Sequence, residues 1–291
     1  MVDINEKFNV IFDQKYFNNL FKFIENDFVF NFIIRLINLA PSCVVKVMKK
    51  IEPDKIIVSN LCKKVTQKSQ YDYSLNLLRN QFLFKRLMSS KLSGNICSVF
   101  LSKMDIIIKN AIESLNPKTF SFLEYIDDYS TNKFYLSKWK NVHIKMVPYL
   151  PSFCEIVIKD QSNAFNPLLE ACAKLSIRIT KTSKMVSPCF IDLFKKLSSL
   201  FFSLKKNSFV NNCFMSAFDT LLVLGQINTQ LLDDMKLFEK IINCYENKDD
   251  YDFPCYAGHL RLVSEAINKF TNGLKTNNIN KWNSVVVKNN K

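Results

Sequence analysis

The sequence predicts an all-α protein on three observations. Glycine and proline are scarce, with four and eight in 291 residues. A sheet or α/β enzyme needs far more tight turns and phosphate-facing glycines than that. Apolar side chains recur every three to four positions, the period of an amphipathic helix. Several of the few prolines directly follow Asn or Ser, as they do where helices begin.

Taken in order, Phe17, Leu20, Phe21 and Ile24 form a first stripe, and Val29, Phe32, Ile33 and Leu36 a second. Cys97, Phe100, Leu101, Met104, Ile108, Ala111 and Ile112 predict a long helix over 94–114. Asn116-Pro117, Asn166-Pro167 and Ser187-Pro188 each place a capping side chain before a proline at the first helical position, where its missing N–H has no consequence. Phe190, Leu193, Phe194, Leu197, Leu200, Phe201 and Leu204 stripe a helix over 187–206. Met235, Phe238, Ile241, Ile242 and Tyr245 mark the next, and Leu260, Val263, Ala266, Ile267 and Phe270 the last. The whole reads as about fourteen helices joined by short turns.

Short connections favour antiparallel neighbours, and helices 94–114 and 187–206 carry apolar residues on more than one face. Stacked pairs cover both faces. The expected architecture is therefore an armadillo- or HEAT-like α-solenoid over 1–273, with a compact irregular helical domain as the alternative. The polar, basic stretch "TNNINKWNSVVVKNNK" closes the chain, and residues 274–291 read as a flexible basic tail.

The formal net charge of +14 raises the question of nucleic acid. Only five of the forty basic residues are Arg, the side chain best suited to bidentate phosphate and guanine contacts, and 31 Asn accompany the Lys. That mix argues for compositional bias and against nucleic-acid recognition. Nine cysteines, none closer than Cys244 to Cys255 and none in C-x-x-C, fit a reducing compartment. The opening "MVDINEKFNV" lacks the basic and apolar regions of a signal peptide, and no apolar run approaches the roughly eighteen residues of a membrane span. A cytoplasmic protein is expected, with the nucleus as the alternative.

Chemistry is hard to place. His143, in "KWKNVHIKM", reads as a solvated surface histidine without an acid to orient it. Cys255 and His259 stand four apart on one helical face, which offers a Cys–His nucleophile and, with Cys244, a partial zinc pattern. Neither is favoured, because a structural zinc needs a fourth ligand. The expected role of Gly258-His259 is structural: the glycine lets helices approach closely, and the imidazole bonds a neighbouring loop or helix end. The pairs Asp127-Asp128, Asp233-Asp234 and Asp249-Asp250 read as turn and capping residues. No glycine-rich phosphate loop is present. No catalytic residue, cofactor or metal is expected, and the chain is not read as an enzyme. One basic strip stands out: Lys174, Arg178, Lys181, Lys184, Lys195, Lys196, Lys205 and Lys206 against the single acid Asp192. It is either a solvated face or a dock for an acidic partner or nucleic acid. "ENKDDYDF" (246–253) is an acidic loop.

Residues 231–268 contain a helix ending "I-x-x-x-x-E-N", the acidic loop, and then Tyr256, Gly258, His259 and Leu260. This order resembles the closing "G-Y-x-G-H-L-T-R-I-A-N" signature of the SAPS family, regulatory subunits of protein phosphatase 6-type enzymes. Asn207, Phe209 and Asn212 are similar to that family's "N-N-F-L-H-N" helix start. Phe100, Ser102 and Lys103 match a third motif more loosely. Cys255 replaces the signature's first glycine, Arg261 its threonine, and Ser264-Glu265 its small residue and asparagine. The resemblance implies an α-solenoid that binds a type-2A-like serine/threonine phosphatase catalytic subunit without catalysing anything itself.

Overall fold

The computed structural model of the chain describes residues 93–115, 140–162, 164–250, 252–270 and 279–287, with single positions between 19 and 32 and between 117 and 127. All regular structure among the described residues is helical. The stripes expected over 17–36 fall largely outside them, as does Asn116. The chain divides into two compact units, Met1–Pro148 and Tyr149–Lys291. The division falls in a 3₁₀ turn, Val147–Tyr149, where Pro148 cannot donate a helical hydrogen bond.

In the first unit, α1 (Ser93–Ser114) packs on α2 (Lys140–Met146). Met104, Ile107, Ile108 and Ala111 form its buried stripe, and α2 contributes Val142 and Met146. Leu115 ends α1 with φ 47, its N–H reaching Ala111 O at 3.0 Å.

In the second unit, α3 (Leu150–Ile158), α4 (Pro167–Ser183), α5 (Pro188–Ser203) and α6 (Ser208–Val223) follow one another across short turns. Then come the short α7 (Thr229–Asp234), α8 (Leu237–Glu246) and α9 (Phe253–Phe270). Asparagines set the starts. Asn166 Oδ1 accepts from Leu168 and Leu169 N–H at 3.0 and 3.1 Å, Asn207 Oδ1 from Phe209 and Val210 at 3.1 and 3.2 Å, and Asn228 Oδ1 from Leu231 at 2.8 Å. Ser187 holds the N-cap position of α5 as expected, but its hydroxyl does not cap. It lies 2.9 Å from Cys189 Sγ instead.

Packing joins alternate helices as well as neighbours. α3 packs on α4 and α5, α4 on α6, α5 on α6, α6 on α9, and α8 on α9. The core between them is aromatic. Phe194 stacks on Phe214 at 5.6 Å, and Phe201 meets Phe214 at 4.7 Å and Tyr256 edge-on at 6.0 Å. Cys154, Cys172 and Cys213 are buried, and burial pushes the Cys154 and Cys172 thiols well above the ordinary thiol range. They behave as small apolar side chains.

Residues 279–287 lie within the stretch read as a tail. They form α10 (Ile279–Trp282) and a π turn (Asn283–Val287) with Trp282 and Val286 buried. Trp282 and Val286 stand four positions apart and so share one helical face, an apolar anchor that the polar composition around them hides.

Candidate functional site

Two pieces of the resemblance, 47 residues apart, meet on one face of the second unit. His259, on α9, donates from Nε2 to Asn212 Oδ1 on α6 at 3.2 Å. The imidazole does bond a neighbouring helix, though to an exposed side chain in its body and not to a loop or helix end. Tyr256 and Leu260 face inward at 1% and 0% exposure, anchoring α9 on the aromatic core. Phe209, three positions before Asn212, is 54% exposed. Asn207 caps α6 below it. The motif residues thus sort into inward anchors and an outward surface.

Gly258 corrects the expectation of close helix approach. A Cβ there would meet nothing within 4 Å, and the position is exposed. Its local effect is to weaken α9, since glycine in a helix interior costs conformational entropy. Gly258→Ala should therefore stabilise the fold by about 0.5–1 kcal/mol in a urea titration; a loss of stability would show that the backbone there needs glycine. Cys255 is exposed one turn earlier. Among the described residues, no cluster of three His, Cys, Asp or Glu could hold a metal ion, and no helix is long and apolar enough to cross a membrane.

Beside this face the α5–α6 turn is tied to the acidic loop before α9. Lys205 Nζ lies 2.6 Å from Asp250 Oδ2, and Lys206 Nζ 2.8 Å from Asp252 Oδ1. Lys205 also sits 5.6 Å over the Tyr256 ring, and its carbonyl accepts from Asn211 Nδ2 at 3.2 Å. A groove of about 480 Å³ opens along Ser203 to Phe209 and Asp252. The Lys205 hydrogen bond holds the Asp250 carboxyl below the usual carboxylate range, and Asp250 in turn raises Lys205. The lowered acid contributes stability above about 4 that is lost as pH falls through its folded value. The raised amine contributes below about 10.5 and loses its share only as pH climbs through its own folded value. NMR should show Asp250 titrating below an ordinary aspartate, and Lys205→Met should return it there; an unchanged midpoint in the variant would rule out the tie.

The basic strip is not one continuous free patch. Lys174 pairs with Glu170 at 2.7 Å, Lys196 donates to Asp160 O at 2.7 Å, and Lys205 and Lys206 are engaged as above. Lys181, Lys184 and Lys195 are exposed, and Lys184 closes α4 in the left-handed conformation at φ 57. Arg178 is half-buried on α4.

The first unit holds a pair that sequence reasoning missed. His143 is 5% exposed and donates from Nδ1 to Asp127 Oδ1 at 2.6 Å, and Asp127 is fully buried. The reading of His143 as a solvated histidine, and of Asp127 as a turn residue, is corrected. The flanking lysines of "KWKNVHIKM" suggested a wet face, but α2 turns His143 inward between Val142 and Met146. The acid that orients it comes from sixteen residues away. His143 Nε2 is buried without a hydrogen-bond partner among the described residues.

Comparison with protein-family models, with curated proteins and with solved structures found no match to this chain.

Proposed function

We propose that the chain is a non-catalytic binding scaffold, that Tyr149–Lys291 is an α-solenoid of three stacked helix pairs, and that its partner is the catalytic subunit of a protein phosphatase 6-type serine/threonine phosphatase. The pairs are α3/α4, α5/α6 and α8/α9. Their second helices start at 167, 208 and 253, steps of about 40 to 45 residues, as in HEAT and armadillo repeats. Contacts of α3 with α5, α4 with α6, and α6 with α9 are those a stack of pairs makes. Lys240 of α8, 5.6 Å over the Phe202 ring, links the first helices of the last two pairs.

One observation carries the functional reading. The Asn212–His259 hydrogen bond brings the two matched motifs together beside an exposed phenylalanine and an open groove. An exposed aromatic flanked by satisfied polar groups is the composition of an interface anchor. The basic strip supports a charge-driven dock less well, since Lys205 and Lys206 already face acids of the same chain.

The test is direct binding between the purified chain and a purified phosphatase 6-type catalytic subunit. Association with Kd in the micromolar range or tighter is expected, weakened at least tenfold by Phe209→Asp. An acidic residue in the first turn of α6 suits the helix dipole, so this variant should fold normally. No association, or equal affinity for both proteins, would end the proposal.

A further inference from the structure

The segment 279–287 is held differently from the rest of the second unit. α4 buries nine of its seventeen residues. Of residues 280–287 in the terminal segment, two of eight are buried, Trp282 and Val286. A four-residue helical turn followed by a π turn has no stability of its own, so docking must supply it.

What receives it is the surface of α8, with Asn268 of α9 beside it. The Trp282 ring lies edge-on against Phe238 of α8, centroids 5.2 Å apart at 78°. Its indole N–H donates to Asn268 Oδ1 of α9 at 2.5 Å. Lys281 Nζ reaches both carboxylate oxygens of Glu246, at 3.0 and 3.1 Å, where α8 ends. α8 packs on both α10 and the π turn. An apolar slot for a flat ring, an amide acceptor for its N–H and a carboxylate for the preceding cation together recognise Lys-Trp-x-x-x-Val in a helical turn. Against these contacts stands the entropy of ordering nine residues.

We infer that this surface of α8, with Asn268 of α9, is a docking site for a short helical segment carrying this pattern, and that residues 279–287 cover it as an exchangeable internal occupant. The occupant from outside is the same segment of a second copy of the chain, since that sequence matches the surface by the contacts above. The inference stands apart from the α6–α9 face and from the phosphatase.

A fluorescein-labelled peptide of residues 276–291, followed by anisotropy, tests it on the full-length chain. The wild-type chain should bind the peptide weakly, because its own segment competes. Full-length Trp282→Ala should bind it at least tenfold more tightly, and a Trp282→Ala peptide should bind neither chain. Equal affinity for both chains, or no binding to either, overturns the inference. So does a Trp282→Ala chain that no longer unfolds cooperatively, since the segment would then be a fixed part of the core and not a removable one.

Discussion

Asp127→Ala should lower the stability of the Met1–Pro148 unit by about 3 kcal/mol. His143 is nearly fully buried, and its Nδ1–H has Asp127 Oδ1 at 2.6 Å. Its other nitrogen has no hydrogen-bond partner among the described residues. Removing the carboxylate would leave both polar atoms of the ring in an apolar setting, and the loss is the full desolvation of those atoms. Asp127→Asn keeps an acceptor oxygen and should cost about 1 kcal/mol, within the range of one neutral hydrogen bond. A double-mutant cycle with His143→Ala isolates the pair. A coupling above about 1.5 kcal/mol is expected, and one below about 0.5 would mean that each side chain is stabilised by other neighbours.

That pair also shows where sequence stops informing structure. The helical period is legible because burial on a helix repeats locally: Phe190, Leu193, Phe194, Leu197 and Phe201 form a stripe in sequence and are all buried. Asn166 was read as a cap because the side chain and the N–H groups it serves lie within three residues. Asp127 and His143 belong to different segments, and nothing local marks them as partners. The same holds for Lys205 with Asp250, 45 residues apart, which was read as a basic strip and a separate acidic loop. Gly258 misled for a related reason. A glycine permits close approach, but only the neighbouring helices decide whether anything approaches. The terminal segment was hidden by its asparagines and lysines, although the four-residue step from Trp282 to Val286 was there to be read. On the candidate face, Tyr256, Gly258, His259 and Leu260 were picked out together. Their division into anchors and surface needed the packing of α9 on α6.

Phe201→Ala should destabilise the Tyr149–Lys291 unit by about 3–5 kcal/mol, the usual range for a fully buried phenylalanine. Phe201 is completely buried and touches rings on α5, α6 and α9: Phe202 at 5.0 Å, Phe214 at 4.7 Å and Tyr256 at 6.0 Å. Truncation removes the transfer energy of the ring and opens a cavity whose walls are held by three helices, so collapse into it is restricted. Phe201→Leu refills most of that volume and should cost about 1–1.5 kcal/mol. The comparison with Phe209 separates architecture from recognition. Phe209→Asp should leave the urea midpoint unchanged while weakening partner binding. Phe201→Ala should shift the midpoint strongly. It should also weaken binding, measured where the variant stays folded, because the face presented by Asn212 and His259 depends on Tyr256 holding α9 against this ring. If Phe201→Ala binds the partner as tightly as the wild-type chain, the surface does not depend on the aromatic hub, and its geometry must be set by α6 alone.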